Sequence, residues 1–140
     1  MNPTIETQTL VIERDMPHAP EKIWRALTQG PLIEEWLMAN DFQPVVGHAF
    51  KFRSKPVPGW DGIIDAEVLN VEPNKTLSYT WGSMGLKTIV LWSLRATKTG
   101  TLLRMEQSGF RSDSDASYKG ATYGWQKFIG NLEKVVAKLP

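Results

Sequence analysis

The chain has 140 residues, with 16 Lys and Arg against 15 Asp and Glu, a net charge of +1, and no cysteine. Both charge signs are interspersed, which argues against a nucleic-acid surface, and the lack of Cys removes disulfides, thiolate metal sites and a Cys nucleophile. No stretch approaches the roughly 20 apolar residues of a membrane span, and Met1 to Glu13 lacks the basic start and apolar block of a secretory signal. The expectation is therefore a soluble, cytoplasmic protein forming one domain over residues 1–140, large enough to bury about two thirds of its unfolded surface without a metal or disulfide.

Thr4 to Met16 reads as a long strand rich in Thr, Val and Ile. Arg14 shares its phase with Leu10, Ile12 and Met16, which predicts a bulge, an edge position or a buried charge with a partner. Pro17 and Pro20 stop the strand. Pro20 then suits the first position of a short helix with Ile23, Trp24 and Leu27 on its apolar stripe, ended by Gly30. Pro31 opens a second short helix with Leu32, Ile33, Trp36 and Leu37 on one side. Such short helices must pack on something to persist.

From Asp41 to Arg111 the period is that of strands. Val45 to Arg53 alternates around Phe50 and Phe52, and Ser54 to Gly59 is a Pro-containing loop. Trp60 to Val71 is a strand closed by a turn at Glu72-Pro73-Asn74-Lys75. Leu77, Tyr79 and Trp81 share one phase, as do Val90, Trp92 and Leu94, and then Leu103, Met105 and Gln107. Consecutive strands with turns between them make an antiparallel meander.

From about Ser114 the period becomes helical, with Asp113, Ser114 or Asp115 as candidate caps. Trp125, Phe128, Ile129, Leu132, Val135, Val136 and Leu139 form an apolar stripe. The order strand, two short helices, about six strands and one long helix predicts an α+β fold, the helix lying across the concave face of a curved antiparallel sheet. A bent sheet and a straight helix cannot touch along their whole length. The gap must be filled by bulky side chains or kept for a ligand, because an empty apolar gap costs about 24 cal/mol per Å³. Gly120, Gly124 and Gly130 lie in the helical segment, each at about 1 kcal/mol relative to alanine. They either precede a late helix start, allow a close approach to the sheet, or open space beside Tyr118, Tyr123 and Trp125.

Four blocks then resemble a known family. Ala19-Pro20-Glu21-Lys22-Ile23-Trp24-Arg25-Ala26-Leu27-Thr28 with Trp36, Val71 to Trp81, Gly100-Thr101 through Ser108-Gly109-Phe110, and Trp125 to Leu132 resemble, in order, the motifs of the activator of Hsp90 ATPase homologue 1-like family. Gln107 stands where that family often has histidine. The resemblance implies the START-like, Bet v 1-like helix-grip fold (the SRPBCC superfamily), with six to seven strands and a cavity between helix and sheet. Its members include lipid carriers, polyketide cyclases, plant hormone receptors and self-resistance proteins, so fold alone does not name a function.

No catalytic motif is recognisable. There is no G-x-S-x-G elbow and no phosphate loop, and His18 and His48 have no metal-ligand spacing, so no cofactor and no metal are expected. Glu35 and Glu106 read as solvated, and Glu67 lies in a strand whose inward face the pattern leaves open. The candidate ligand-binding residues are Trp36, His48, Phe52, Trp60, Glu67, Trp81, Trp92, Met105, Gln107, Tyr118, Tyr123 and Trp125. Gln107 is singled out as an inward donor and acceptor that orients a ligand without doing chemistry. The expected partner is a small apolar or aromatic molecule. A cyclase- or hydratase-like enzyme using the same cavity is the alternative, and a homodimer stays open. An Hsp90-type chaperone partner is the less expected outcome, because the chain has no room for the eukaryotic activator's companion domain.

Overall fold

A computed structural model describes residues 7–111 and 115–140. The expected strand start at Thr4 and the caps at Asp113 and Ser114 lie outside the described residues. β1 (Thr7–Met16) is followed by α1 (Pro20–Thr28) and α2 (Gly30–Trp36). The strands β2 (Ala39–Asn40), β3 (Ala49–Arg53), β4 (Ile63–Glu72), β5 (Thr76–Ser83), β6 (Leu86–Ala96) and β7 (Thr101–Arg111) come next, and α3 (Asp115–Lys138) ends the order. Among the described residues these form one antiparallel sheet in the order β1-β7-β6-β5-β4-β3-β2, so β1 is an edge strand. Register shifts between Gln8 and Thr9 and between Val68 and Asn70 mark irregularities in the ladders, which add local twist. The α+β arrangement expected from the pattern, and the helix-grip fold that the resemblance implied, are what the structure shows.

The pleat decides what each strand buries. On β4 the buried side chains are Ile64, Ala66 and Val68, and on β6 Thr88, Val90, Trp92 and Leu94. On β7 they are Thr101, Leu103, Met105, Gln107 and Phe110. These rows face α3, whose buried stripe is Trp125, Ile129, Leu132, Val135 and Val136. Arg14 occupies the inward row of β1, and its guanidinium bonds Glu133 of α3 at 3.2 Å, with both side chains about a third exposed. The edge position and the partnered charge thus occur together.

The two short helices close one end. Pro20 and Pro31 each lie in the first turn of their helix, where a missing N–H costs nothing. Gln29 caps the end of α1 and the start of α2, so Gly30 begins the second helix instead of ending the first. Trp36 locks the pair, its indole N–H donating to the Ala26 carbonyl at 2.8 Å. The helix α3 packs on α1, α2, β1 and β7. It is seated on that side, with β5 and β6 beneath its other flank.

Two strand boundaries differ from expectation. Residues 45–48 form a turn, with Gly47 at φ +88°, so β3 begins only at Ala49. Trp60 lies in a loop, paired with Val57 through backbone bonds of 3.0 and 2.9 Å. Gly62 explains this: its φ is +80° and a Cβ there would sit 2.3 Å from the Ser54 carbonyl oxygen, so the chain crosses itself tightly before β4 can start.

Candidate functional site

The middle of the helix–sheet interface is filled by aromatic rings. Trp36 meets Trp92 edge-on at 5.7 Å, Trp92 meets Trp125 at 5.6 Å, and Trp125 meets Trp81 at 5.0 Å. Phe52 continues the row to Trp81 at 5.1 Å. Beneath it, the Trp92 indole N–H donates to the Tyr79 hydroxyl at 2.9 Å. Burial pushes that phenol well above its ordinary value, the Trp92 bond opposing the shift.

Beyond this plug the helix and sheet separate, and a cavity of about 620 Å³ opens. Its walls come from four segments. The helix α3 supplies Gly120, Ala121, Gly124, Trp125 and Phe128, and β7 supplies Gln107 and Phe110. The β5–β6 hairpin supplies Trp81, Ser83, Met84 and Leu86, and the loop before β4 supplies Trp60. The glycines thin the helix on this side: a Cβ on Gly120 would meet nothing within 4 Å, and one on Gly124 only the Phe128 ring at 3.8 Å. Both lie well inside α3, so they neither precede it nor serve close packing.

One polar chain runs through the wall. The Trp125 indole N–H donates to Gln107 Oε1 at 2.7 Å, Gln107 Nε2 donates to the Thr88 hydroxyl at 2.8 Å, and Thr88 donates to the Trp81 carbonyl at 3.0 Å. Gln107 and Thr88 are 2% and 1% exposed. Because an indole N–H can only donate, the amide oxygen must face Trp125, which fixes the orientation of the carboxamide. Among the described residues no ionisable side chain lines the wall.

Of the sequence candidates, Trp60, Trp81, Gln107 and Trp125 line this cavity. Trp36, Phe52, Trp92 and Met105 are at most 2% exposed and lie in the plug or the core behind it. Tyr118 packs edge-on against Phe110, which is itself on the wall. Tyr123 is 77% exposed and points away from the wall. Glu67 is exposed on the outer face, because Ala66 and Val68 take the inward row. His48 stacks on Phe50, with Nε2 bonding the Asp41 carbonyl at 2.9 Å, away from the cavity. Glu106 pairs with Arg104 on the outer row of β7. The wall residues outside the candidate list include Ser83, Met84, Leu86, Ala121 and Phe128. A signal existed for two: Ala121 and Phe128 lie at i−4 and i+3 from Trp125, on the same helix face.

Among the described residues no group of three or more His, Cys, Asp or Glu could hold a metal ion, and no helix is long and apolar enough to cross a membrane.

Comparison with known proteins gives a consistent picture of the fold. A family model described as activator of Hsp90 ATPase homolog 1-like protein matches residues 17–137. The solved structure of protein MLL2253 from Mesorhizobium loti is 51% identical, with a TM-score of 0.89 over 95% of this chain and 99% of that one. Protein BH1534 from Bacillus halodurans is 24% identical, with a TM-score of 0.79 over 92% of this chain and 96% of that one. CalU16 from Micromonospora echinospora is 19% identical, with a TM-score of 0.76 over 94% of this chain and 78% of that one. Comparison with curated proteins gives no match.

Proposed function

The chain belongs to the activator of Hsp90 ATPase homolog 1-like family, and on that footing we propose that it binds a small, uncharged, largely apolar or aromatic molecule in the cavity between α3 and the β5–β6–β7 part of the sheet. One observation carries the reading: a hollow of about 620 Å³ walled by aromatic side chains, helical glycines and, among the described residues, no ionisable group. That volume lies in the range of ordinary small-molecule sites. The two glycines that keep it open forgo helix stability. A charged ligand would meet no counter-ion among the described wall residues, so a neutral one is favoured.

A cyclase-like enzyme would need a group on the wall that exchanges protons near neutral pH. Gln107, Ser83 and the Trp60 indole offer hydrogen bonds without titrating there. A protein-docking role would favour a contiguous apolar patch on the outer face of the sheet. Val11, Leu69 and Ile89 are each about 40% exposed there. Val11 is paired across the ladder with Glu106, and Ile89 with Ser108 and Thr80, so polar residues interrupt them.

Native mass spectrometry of gently purified protein tests the binding reading by showing a co-purified neutral molecule. Titration with a broad panel of uncharged apolar compounds should quench tryptophan emission, since Trp60, Trp81 and Trp125 line the site. It should also raise the melting temperature, with about 2.7 kcal/mol of stabilisation at a hundredfold excess over Kd. A panel that did neither would remove the reading.

A further inference from the structure

Trp125 belongs to both the plug and the cavity. Its ring meets Trp92 on the plug side at 5.6 Å, and Trp81 and Phe128 on the wall at 5.0 and 5.9 Å. The tilt of this ring therefore sets where the plug ends and the hollow begins. Its plug side is closed, since Trp92 is 0% exposed. Room for the indole to swing lies towards the hollow, where Gly120 and Gly124 carry no side chain. A bond opposes that swing: the Trp125 N–H donates to Gln107 Oε1 at 2.7 Å. Gln107 is held in turn by Thr88, whose hydroxyl accepts from Gln107 Nε2 at 2.8 Å and donates to the Trp81 carbonyl at 3.0 Å. This chain ties α3 to β7, β6 and β5 where the helix begins to leave the sheet. Trp125, Gln107 and Thr88 are at most 3% exposed, so breaking a link strands a buried polar group.

We infer that Gln107 is a positioning residue: through the Trp125 N–H it holds the indole as the inner wall of the cavity, and Thr88 holds Gln107 to that task. The inference rests on the cavity being a ligand site, and it adds what fixes the depth of that site. Both ends of the carboxamide have a protein partner. An indole released from Gln107 would turn into the hollow and take space from the ligand.

The test measures binding of naphthalene, phenanthrene and pyrene to the intact chain by tryptophan quenching. These hydrocarbons have no polar atom, so a hydrogen bond from Gln107 to the ligand contributes nothing. Gln107→Met keeps the side-chain length, removes the acceptor and should weaken binding of the tightest hydrocarbon about tenfold. Thr88→Val changes a residue behind the wall and should weaken it about threefold. In a Trp125→Phe background there is no indole N–H to hold, so both substitutions should leave affinity within about twofold. In heteronuclear NMR spectra the Trp125 indole proton should exchange about tenfold faster in Gln107→Met, whereas those of Trp36 and Trp92, bonded elsewhere, should keep wild-type rates. Unchanged affinity in Gln107→Met and Thr88→Val, or a loss that persists in full in the Trp125→Phe background, overturns the inference and leaves the cavity reading standing. Where Gln107→Met fails to fold, Thr88→Val decides by the same comparison. If no hydrocarbon binds the wild type, the inference falls, and if nothing in the uncharged panel binds, the cavity reading falls with it.

Discussion

Replacing Gly120 and Gly124 by alanine tests whether the hollow under α3 is real. A glycine inside a helix costs about 0.8–1.0 kcal/mol relative to alanine, because its unfolded state has more conformations to lose. At Gly120 the new methyl would have nothing within 4 Å, and at Gly124 it would touch the Phe128 ring at an ordinary 3.8 Å. Neither substitution meets a steric penalty, so the propensity gain should appear undiminished: about 1 kcal/mol each and about 2 kcal/mol together. For a domain of this size that is about 3–4 °C per substitution in melting temperature. Urea unfolding followed by far-ultraviolet circular dichroism measures it at constant m-value. If α3 instead lay tightly on the sheet at this end, an added methyl would overpack the contact and cost about 1–3 kcal/mol. The sign of the change therefore decides the matter, and a destabilised double variant would refute the geometry on which the functional reading depends. Gly124→Leu extends the test, since a side chain reaching into the space should keep the fold and lower ligand-induced stabilisation.

Three further outcomes are expected. Gly62→Ala should destabilise by about 2 kcal/mol or more, through an unfavourable φ and the overlap with the Ser54 carbonyl, and ligand titration should show weaker binding as Trp60 shifts. Tyr79→Phe should cost about 1–3 kcal/mol at neutral pH, because the buried Trp92 N–H loses its acceptor. The Tyr79 hydroxyl titrates higher in the folded state than its ordinary value of 10.0, chiefly through burial. Its stabilisation is therefore complete below that pH and declines as pH rises through it, so urea midpoints should fall above about pH 10 in the wild type and less in the variant. Arg14→Met should change stability by less than about 1 kcal/mol, since the pair with Glu133 is about a third exposed on both sides. A larger loss by chemical denaturation would show that the pair holds α3 in place.

Local patterning decided the elements and most of their inward faces. The period of two along β4, β6 and β7 and the 3.6-residue stripe of α3 are properties of consecutive residues, so Val90, Leu94, Ile129 and Leu132 could be placed on shared apolar faces before any packing was known. Proline at the start of α1 and α2 acts the same way. Which aromatic residues plug the interface and which line a space was not legible there, because Trp92 and Trp81 sit in the same kind of alternating strand and carry the same side chain. Both rings touch Trp125 of α3, at 5.6 Å and 5.0 Å, but Trp92 is fully enclosed, whereas Trp81 is only partly buried and borders the space. The placement of Trp60 depended on a backbone crossing at Gly62 between residues far enough apart in sequence that no period reports it. His48 shares a phase with Phe50 and Phe52, Glu67 lies in a strand whose inward face the pattern left open, and Tyr123 neighbours the helical glycines; only the three-dimensional path of the chain put them away from the cavity wall. Periodicity is a one-dimensional signal that carries face and phase. The depth of a pocket depends on the angle between two elements, and only the assembled tertiary structure sets that angle.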